Sequence, residues 1–227
     1  MSNIAIITAR GGSKRIPKKN IKEFMGKPML AYAIEAAQRS EIFDTVMVST
    51  DSEEIADIAR KYGAEVPFMR SERTASDNAT TFDALDEVIK EYKKLGKEFE
   101  TLCCIYPCVP FLKDETLCDA YKKMENHDAV IPVCKYPVPI EWAMKVENNL
   151  LIPNDREAQN MCSQGFEPKY FDVGMFYFCR IKNMYEYNSL TPNNTTAFII
   201  NELECQDIDT VEDWKMAELK YRILHNV

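Results

Sequence analysis

Ile4-Ala5-Ile6-Ile7-Thr8 runs without interruption into Ala9-Arg10-Gly11-Gly12-Ser13-Lys14-Arg15-Ile16-Pro17-Lys18-Lys19-Asn20. The first five residues are almost wholly apolar, the pattern of a short strand buried on both faces. The segment that follows is polar and basic. Gly11 and Gly12 permit backbone turns that a Cβ resists, and they let N–H groups approach an anion closely. Ser13 adds a hydroxyl donor. Arg10, Lys14 and Lys19 supply charge for a triphosphate, the arginine in a two-pronged form. The spacing is neither Gly-x4-Gly-Lys-[Ser/Thr] nor Gly-x-Gly-x-x-Gly, which disfavours a kinase or a dehydrogenase. Composition alone also admits a solvated basic loop with turn glycines. The position directly after a buried strand favours an anion site.

The charge of the whole chain sharpens that reading. The 227 residues carry a net charge of −8, which argues against a general nucleic-acid binder. Yet Arg10, Lys14, Arg15, Lys18, Lys19, Lys22 and Lys27 crowd one stretch in which Glu23 is the only acid. An acidic protein that concentrates positive charge in one early loop is suited to hold a small anion there.

Outward from this loop, apolar runs and helical periodicity alternate. Thr45-Val46-Met47-Val48-Ser49, Leu102-Cys103-Cys104-Ile105-Tyr106 and Asp128 to Val133 read as strands. Helices are expected from Pro28 to about Gln38, from Glu53 to Tyr62 with Asp51 or Ser52 as cap and Gly63 as stop, from Thr80 to Leu95, and from Asp114 to Met124. The alternation predicts a mainly parallel twisted sheet with helices on both faces. Ligands of such sheets bind beyond the carboxyl ends of the strands, where the loop after Thr8 lies.

From about Tyr136 to Tyr170 the pattern changes. Pro137, Pro139, Pro153 and Pro168 separate short extended pieces such as Trp142–Val146 and Leu150–Ile152. This reads as a small inserted hairpin arm or lid. The chain therefore divides into a nucleotide-binding core over residues 1–135, an arm over 136–170 and a return to the core over 171–227. The return includes Gly174–Phe178, Phe198–Ile200 and a helix from near Thr210 to about Leu224.

Gln206-Asp207-Ile208-Asp209-Thr210 holds two carboxylates two residues apart. In an extended chain they share a face and can converge on one hard cation, and Mg²⁺ suits carboxylate and phosphate oxygens. The alternative is that Asp209 caps the last helix with Glu212 as its capping-box partner and Asp207 is merely exposed.

These stretches resemble one family. Ala9-Arg10-Gly11-Gly12-Ser13-Lys14 followed by Lys19-Asn20 is similar to the CTP-binding motif of the CMP-sialic acid synthetases. Gly26-Lys27-Pro28-Met29-Leu30, Val48 to Ala56, and Tyr62 to Phe68 followed by Arg70 extend the likeness over nearly the whole chain. The resemblance implies a nucleotidyltransferase of Rossmann-like fold, dimeric, with the arm reaching toward the partner's active site. It implies Ala9, Arg10, Gly11, Gly12, Ser13, Lys14, Lys19, Asn20 and Arg70 as the CTP site. It also implies Asp207 and Asp209 as ligands of Mg²⁺, with Arg10, Lys19 and both aspartates as the catalytic set.

The sugar would be a nine-carbon acid. Sialic-acid enzymes carry Gln-Pro-[Thr/Ser]-Ser-Pro after the middle strand, and this chain has Tyr106-Pro107-Cys108-Val109-Pro110. With Arg15-Ile16-Pro17, Tyr136–Ile140 and Asp172–Tyr177, this looks like the pseudaminic acid branch of the family. Tyr106, Asp172, Phe176 and Tyr177 are then the expected sugar contacts, although core packing is the other reading of the aromatics. The rivals are N-acetylneuraminate or legionaminate as the sugar, a Kdo or hexose-1-phosphate nucleotidyltransferase, and a catalytically silent nucleotide-binding subunit. Eight cysteines with no Cys-x-x-Cys pair, no signal-like start and no long apolar run predict a cytoplasmic protein with reduced thiols and no membrane partner.

Overall fold

The computed structural model describes residues 2–226. In chain order, β1 (Asn3–Thr8) leads into the basic loop, and a short ribbon of β2 (Glu23–Phe24) and β3 (Lys27–Pro28) turns the chain into α1 (Met29–Arg39). Next come β4 (Thr45–Ser49), α2 (Glu53–Lys61), α3 (Glu72–Ala75) and α4 (Thr81–Lys94). β5 (Thr101–Ile105), α5 (Asp114–Lys122) and β6 (Ala129–Lys135) follow. The hairpin of β7 (Met144–Glu147) and β8 (Leu150–Pro153) lies within the expected arm. The chain returns through β9 (Tyr170–Asp172), β10 (Phe176–Arg180), α6 (Ile181–Tyr187), β11 (Thr195–Ile199) and α7 (Val211–His225).

The main sheet has the order β11-β6-β10-β5-β1-β4, and β9 also pairs with β6. β1 is parallel to both β4 and β5, and β11 is parallel to β6. β10 is antiparallel to β5 and β6, and β9 is antiparallel to β6. Five of the seven strands thus share one direction. The two reversed strands follow the arm directly, so the inserted segment brings the chain back from the opposite end.

Alternation along β1 assigns the two faces. Ala5 and Ile7 join a core with Leu30 and Ile34 of α1, Ile55 of α2 and Leu117 of α5. Ile4 and Ile6 join the other core with Leu85, Val88 and Tyr92 of α4 and Met184 of α6. A strand buried on both faces needs no polar alternation, which is why Ile4–Ile7 is uniformly apolar. Each fully buried aliphatic side chain here contributes roughly 1.5–3 kcal/mol.

Caps set the helix ends that matter for the site. Thr80 and Asp83 form a capping box at α4, and Thr210 and Asp213 form another at α7. The cap of α7 is therefore Thr210 with Asp213, not Asp209 with Glu212, and Asp209 keeps its carboxylate for other partners. Gly63 stops α2 with φ of +85°. Two expectations are corrected in detail. The acidic pair, expected at the end of a strand, lies in residues 205–209, which belong to no strand. Gly11 and Gly12 do not take the left-handed conformation, which Lys18 adopts instead with φ of 53°. A Cβ on Gly11 would meet Ser52 Cβ at 3.2 Å, so this glycine is needed for close approach to the β4–α2 turn. The helices α3 and α6 fall outside the sequence expectation, being too short to show a periodic apolar face.

Candidate active site

Thr8, Ser49 and Ile105 end three strands that run in the same direction, and the cavity lies past those ends. Its volume is about 510 Å³, and it is lined by the basic loop, Arg70, the segment Ser76–Thr81, Tyr106 and Asp209. The strand topology thus positions the loop where parallel sheets bind ligands.

The loop is fastened at several points. Ala9 is fully buried, and its N–H donates to Ser49 O at 2.9 Å. Gly11 N–H donates to Asp51 Oδ1 at 2.8 Å. Asn20 closes the loop on itself, donating from Nδ2 to Arg10 O at 2.9 Å. The Asn20 amide oxygen accepts from the Cys108 thiol at 3.4 Å. Asn20 is buried and its amide is engaged within the protein, so it shapes the loop as well as lining the cavity. Gly12 has open space on its Cβ side, and Ser13 and Lys14 line the cavity beside it. The Ser13 N–H turns back to Gly11 O at 3.0 Å, and Gly12 itself is exposed on the cavity wall.

Arg70 enters from the turn before α3. Its Nε donates to Ser49 Oγ and its Nη2 to Ser49 O, both at 2.9 Å. Burial pulls its pKa down, and the charge of Asp51 works in the other direction. A guanidinium fixed on both edges presents a rigid wall to a ligand.

Asp209 of the acidic pair reaches the same cavity through the packing of α7. Ile208 is buried with Trp214 and Ala217 against Ile16, Phe24 and Met29. That cluster presses the segment before α7 onto the basic loop. With Ile208 turned inward, extended geometry leaves Asp207 and Asp209 on the opposite side. Asp209 Oδ1 lies 3.2 Å from Lys19 Nζ, and Asp209 Oδ2 lies 2.8 Å from Arg15 Nη2. Lys19 also donates to Ile208 O at 2.5 Å. Partial desolvation raises the pKa of Asp207, although the residue is exposed; repulsion from Asp209 raises it further, and the charge of Lys19 works in the other direction. Asp209 lines the cavity; Asp207, expected beside it, does not.

The expected sugar contacts separate. Tyr106 lines the cavity, and its hydroxyl lies 3.3 Å from Thr81 Oγ1. Behind it, the Tyr177 ring is 5.5 Å away, and the Tyr177 hydroxyl donates to Asp172 Oδ1 and Oδ2 at 3.0 and 2.9 Å. Tyr177 and Asp172 therefore support Tyr106 rather than line the cavity. Phe176 is a correction: it is fully buried among Phe178 and Phe198, and its side chain belongs to the core. The roles of three residues at the site escaped the sequence reading. Asp51 anchors Gly11, Cys108 bonds Asn20, and Asp77 pairs with Arg10 and Lys14. Their signal was weak, because a single aspartate or cysteine in a loop has no diagnostic spacing.

Comparison with known proteins identifies the family. Residues 4–201 match the family profile of the cytidylyltransferases. The chain belongs to the cytidylyltransferase family. The profile ends before Asp207, so it does not cover the acidic pair. The chain is 36% identical to the pseudaminic acid cytidylyltransferase of Campylobacter jejuni, over 99% of this chain and 98% of that one. It is 32% identical to the CMP-N,N'-diacetyllegionaminic acid synthase of Legionella pneumophila, over 96% and 95% of the two chains. Among solved structures, a CMP:2-keto-3-deoxy-manno-octonic acid synthetase complexed with CTP shares the fold, with a TM-score of 0.69, 16% identity and full coverage of both chains. No helix among the described residues is long and apolar enough to cross a membrane.

Proposed function

We propose that this cytidylyltransferase transfers CMP from CTP to the anomeric hydroxyl of pseudaminic acid and releases pyrophosphate. The observation that carries the reading is the convergence of Lys19 and Asp209 on one cavity with Tyr106 in its wall. In this reading Arg10, Lys14 and Lys19 face the triphosphate, Gly12 and Ser13 offer backbone and hydroxyl donors, and Arg70 bounds the nucleoside side. The attacking oxygen and the departing pyrophosphate must lie in line at the α-phosphorus, so the protein's work is alignment and charge neutralisation.

Asp207 and Asp209 would hold Mg²⁺. Their oxygens are the hard donors this ion prefers, and the remaining positions suit phosphate oxygens and water. Lys19 and Arg15 contact Asp209 directly, whereas Asp207 feels repulsion from Asp209 and only the through-space charge of Lys19 against it, a balance that a divalent cation would improve. When bound, the ion supplies charge screening for the phosphates and makes the attacking hydroxyl more acidic.

The arm supports a homodimer. Val146, Leu150 and Leu151 on the hairpin are 71%, 66% and 63% exposed, more apolar surface than a lone ribbon of this size ordinarily leaves in water. The eight unpaired thiols fit a reducing, cytoplasmic setting.

The test is pyrophosphate release with CTP, UTP, ATP and GTP against pseudaminic, legionaminic and N-acetylneuraminic acids. The expected result is release with CTP and pseudaminic acid at the highest kcat/KM. Equal or better use of N-acetylneuraminic acid overturns the sugar assignment, and release with none of the pairs favours a silent nucleotide-binding subunit.

A further inference from the structure

Asp77 stands among the cations of the basic loop. Its Oδ1 lies 2.8 Å from Arg10 Nη1, and its Oδ2 lies 2.7 Å from Lys14 Nζ. It lines the same cavity as Lys19 and Arg70. The carboxylate therefore occupies two of the positive groups that a triphosphate must engage. The segment that carries it is held at both ends. On one side Ser71 accepts from Thr74 N–H at the start of α3, and on the other Thr80 and Asp83 form the capping box of α4. Asp77 is thus presented to Arg10 and Lys14 by anchored backbone.

We propose that Asp77 is a built-in competitor for the phosphate chain, which lowers the loop's affinity for any anion that must reach Arg10 and Lys14. A phosphate chain that reaches Arg10 and Lys14 has to displace this carboxylate. The cost is modest, because both ion pairs are exposed to solvent and such pairs are weak. A triphosphate carries several charges and repays it readily. The hydrogen bonds from Lys14 and Arg10 hold the Asp77 carboxyl below the usual carboxylate range, so the competing charge is present throughout the neutral range. The inference rests on the reading of this cavity as the CTP site, and one arm of the test is independent of that reading.

The experiment is calorimetric titration of the parent, Asp77→Asn and Asp77→Glu with CTP, inorganic tripolyphosphate and cytidine, beside steady-state kinetics. In Asp77→Asn, CTP and tripolyphosphate are expected to bind about two- to tenfold tighter, while cytidine binding is unchanged. The KM for CTP falls by a similar factor with kcat within about twofold, the signature of a change in uniform binding. Asp77→Glu restores near-parental values. Unchanged or weaker binding of both CTP and tripolyphosphate by Asp77→Asn overturns the proposal and makes Asp77 a positioning residue or a bystander. Failure of the parent to bind CTP while it still binds tripolyphosphate would fault the nucleotide reading, and the tripolyphosphate arm would then decide the role of Asp77.

Discussion

Lys19 Nζ lies 3.2 Å from Asp209 Oδ1, across 190 positions of sequence. This contact joins the first loop of the chain to the segment that opens its last helix. Lys19 is only 21% exposed and also bonds Ile208 O, whereas Arg15, the other partner of Asp209, is 66% exposed. The two cations should therefore differ in consequence. Lys19→Met is expected to lower kcat by about 10²–10³-fold, the scale for removing a preorganised charge at a developing anion. Arg15→Met should cost less than about tenfold. Steady-state kinetics with melting curves checks the pair, and equal losses would contradict the assignment.

Asp207→Asn removes one carboxylate from the pair and relieves the repulsion that Asp209 exerts on it. The metal-free variant should melt no lower than the parent, because an unfavourable like-charge contact has been lost. Turnover at low Mg²⁺ should nevertheless fall by about 10²-fold or more, since metal binding is what the pair is suited for. Normal turnover at low Mg²⁺ in both Asp207→Asn and Asp209→Asn would exclude them as metal ligands.

The sheet and the loop were legible in the sequence for a simple reason. Ile4–Ile7, Val46–Val48 and Leu102–Ile105 are apolar on both faces, and a basic, glycine-containing loop follows the first of them. The reversal of β10 was not legible, because Phe176–Cys179 is equally apolar in either direction and strand direction depends on where the arm delivers the chain. Phe176 and Tyr106 look alike in sequence as aromatics near predicted strand ends. Only the fold shows that one fills the core and the other faces the cavity. Asp77 lay hidden for a related reason: its partners Arg10 and Lys14 are more than 60 residues away. The cap of α7 lies one residue beyond the alternative that the sequence offers, since Asp209 with Glu212 and Thr210 with Asp213 are two overlapping capping patterns.

Tyr106 is the residue through which sugar choice should be altered. Its hydroxyl approaches Thr81, and its ring rests on Tyr177, whose own hydroxyl is held by Asp172. Tyr106→Gln substitutes the residue that the resemblance places here in sialic-acid enzymes. It is expected to lower kcat/KM for pseudaminic acid by about tenfold or more while improving N-acetylneuraminic acid, because loss of apolar contact and gain of an amide act in opposite directions on the two sugars. Tyr177→Phe tests the support. It removes a charge-assisted hydrogen bond worth about 1.5–3 kcal/mol, to be read by urea denaturation, and should affect sugar KM more than CTP KM. An unchanged sugar preference in Tyr106→Gln would place recognition elsewhere.

The hairpin arm gives the prediction on assembly. Val146 faces Leu151 across the β7–β8 ribbon, and Glu147 faces Leu150. All three aliphatic side chains are more than 60% exposed, and an isolated two-stranded ribbon is marginal in water. If these residues pack against a second copy, Leu150→Asp with Leu151→Asp should convert a dimer to a monomer in sedimentation velocity. The core should keep its melting transition within a few degrees, because neither residue belongs to the clusters around the sheet. A monomeric parent, or a double variant that stays dimeric, would remove the arm from the interface. If the partner's arm also completes the sugar site, the monomer should still bind CTP while its sugar KM rises about tenfold or more, since the basic loop and Arg70 line the cavity from one chain.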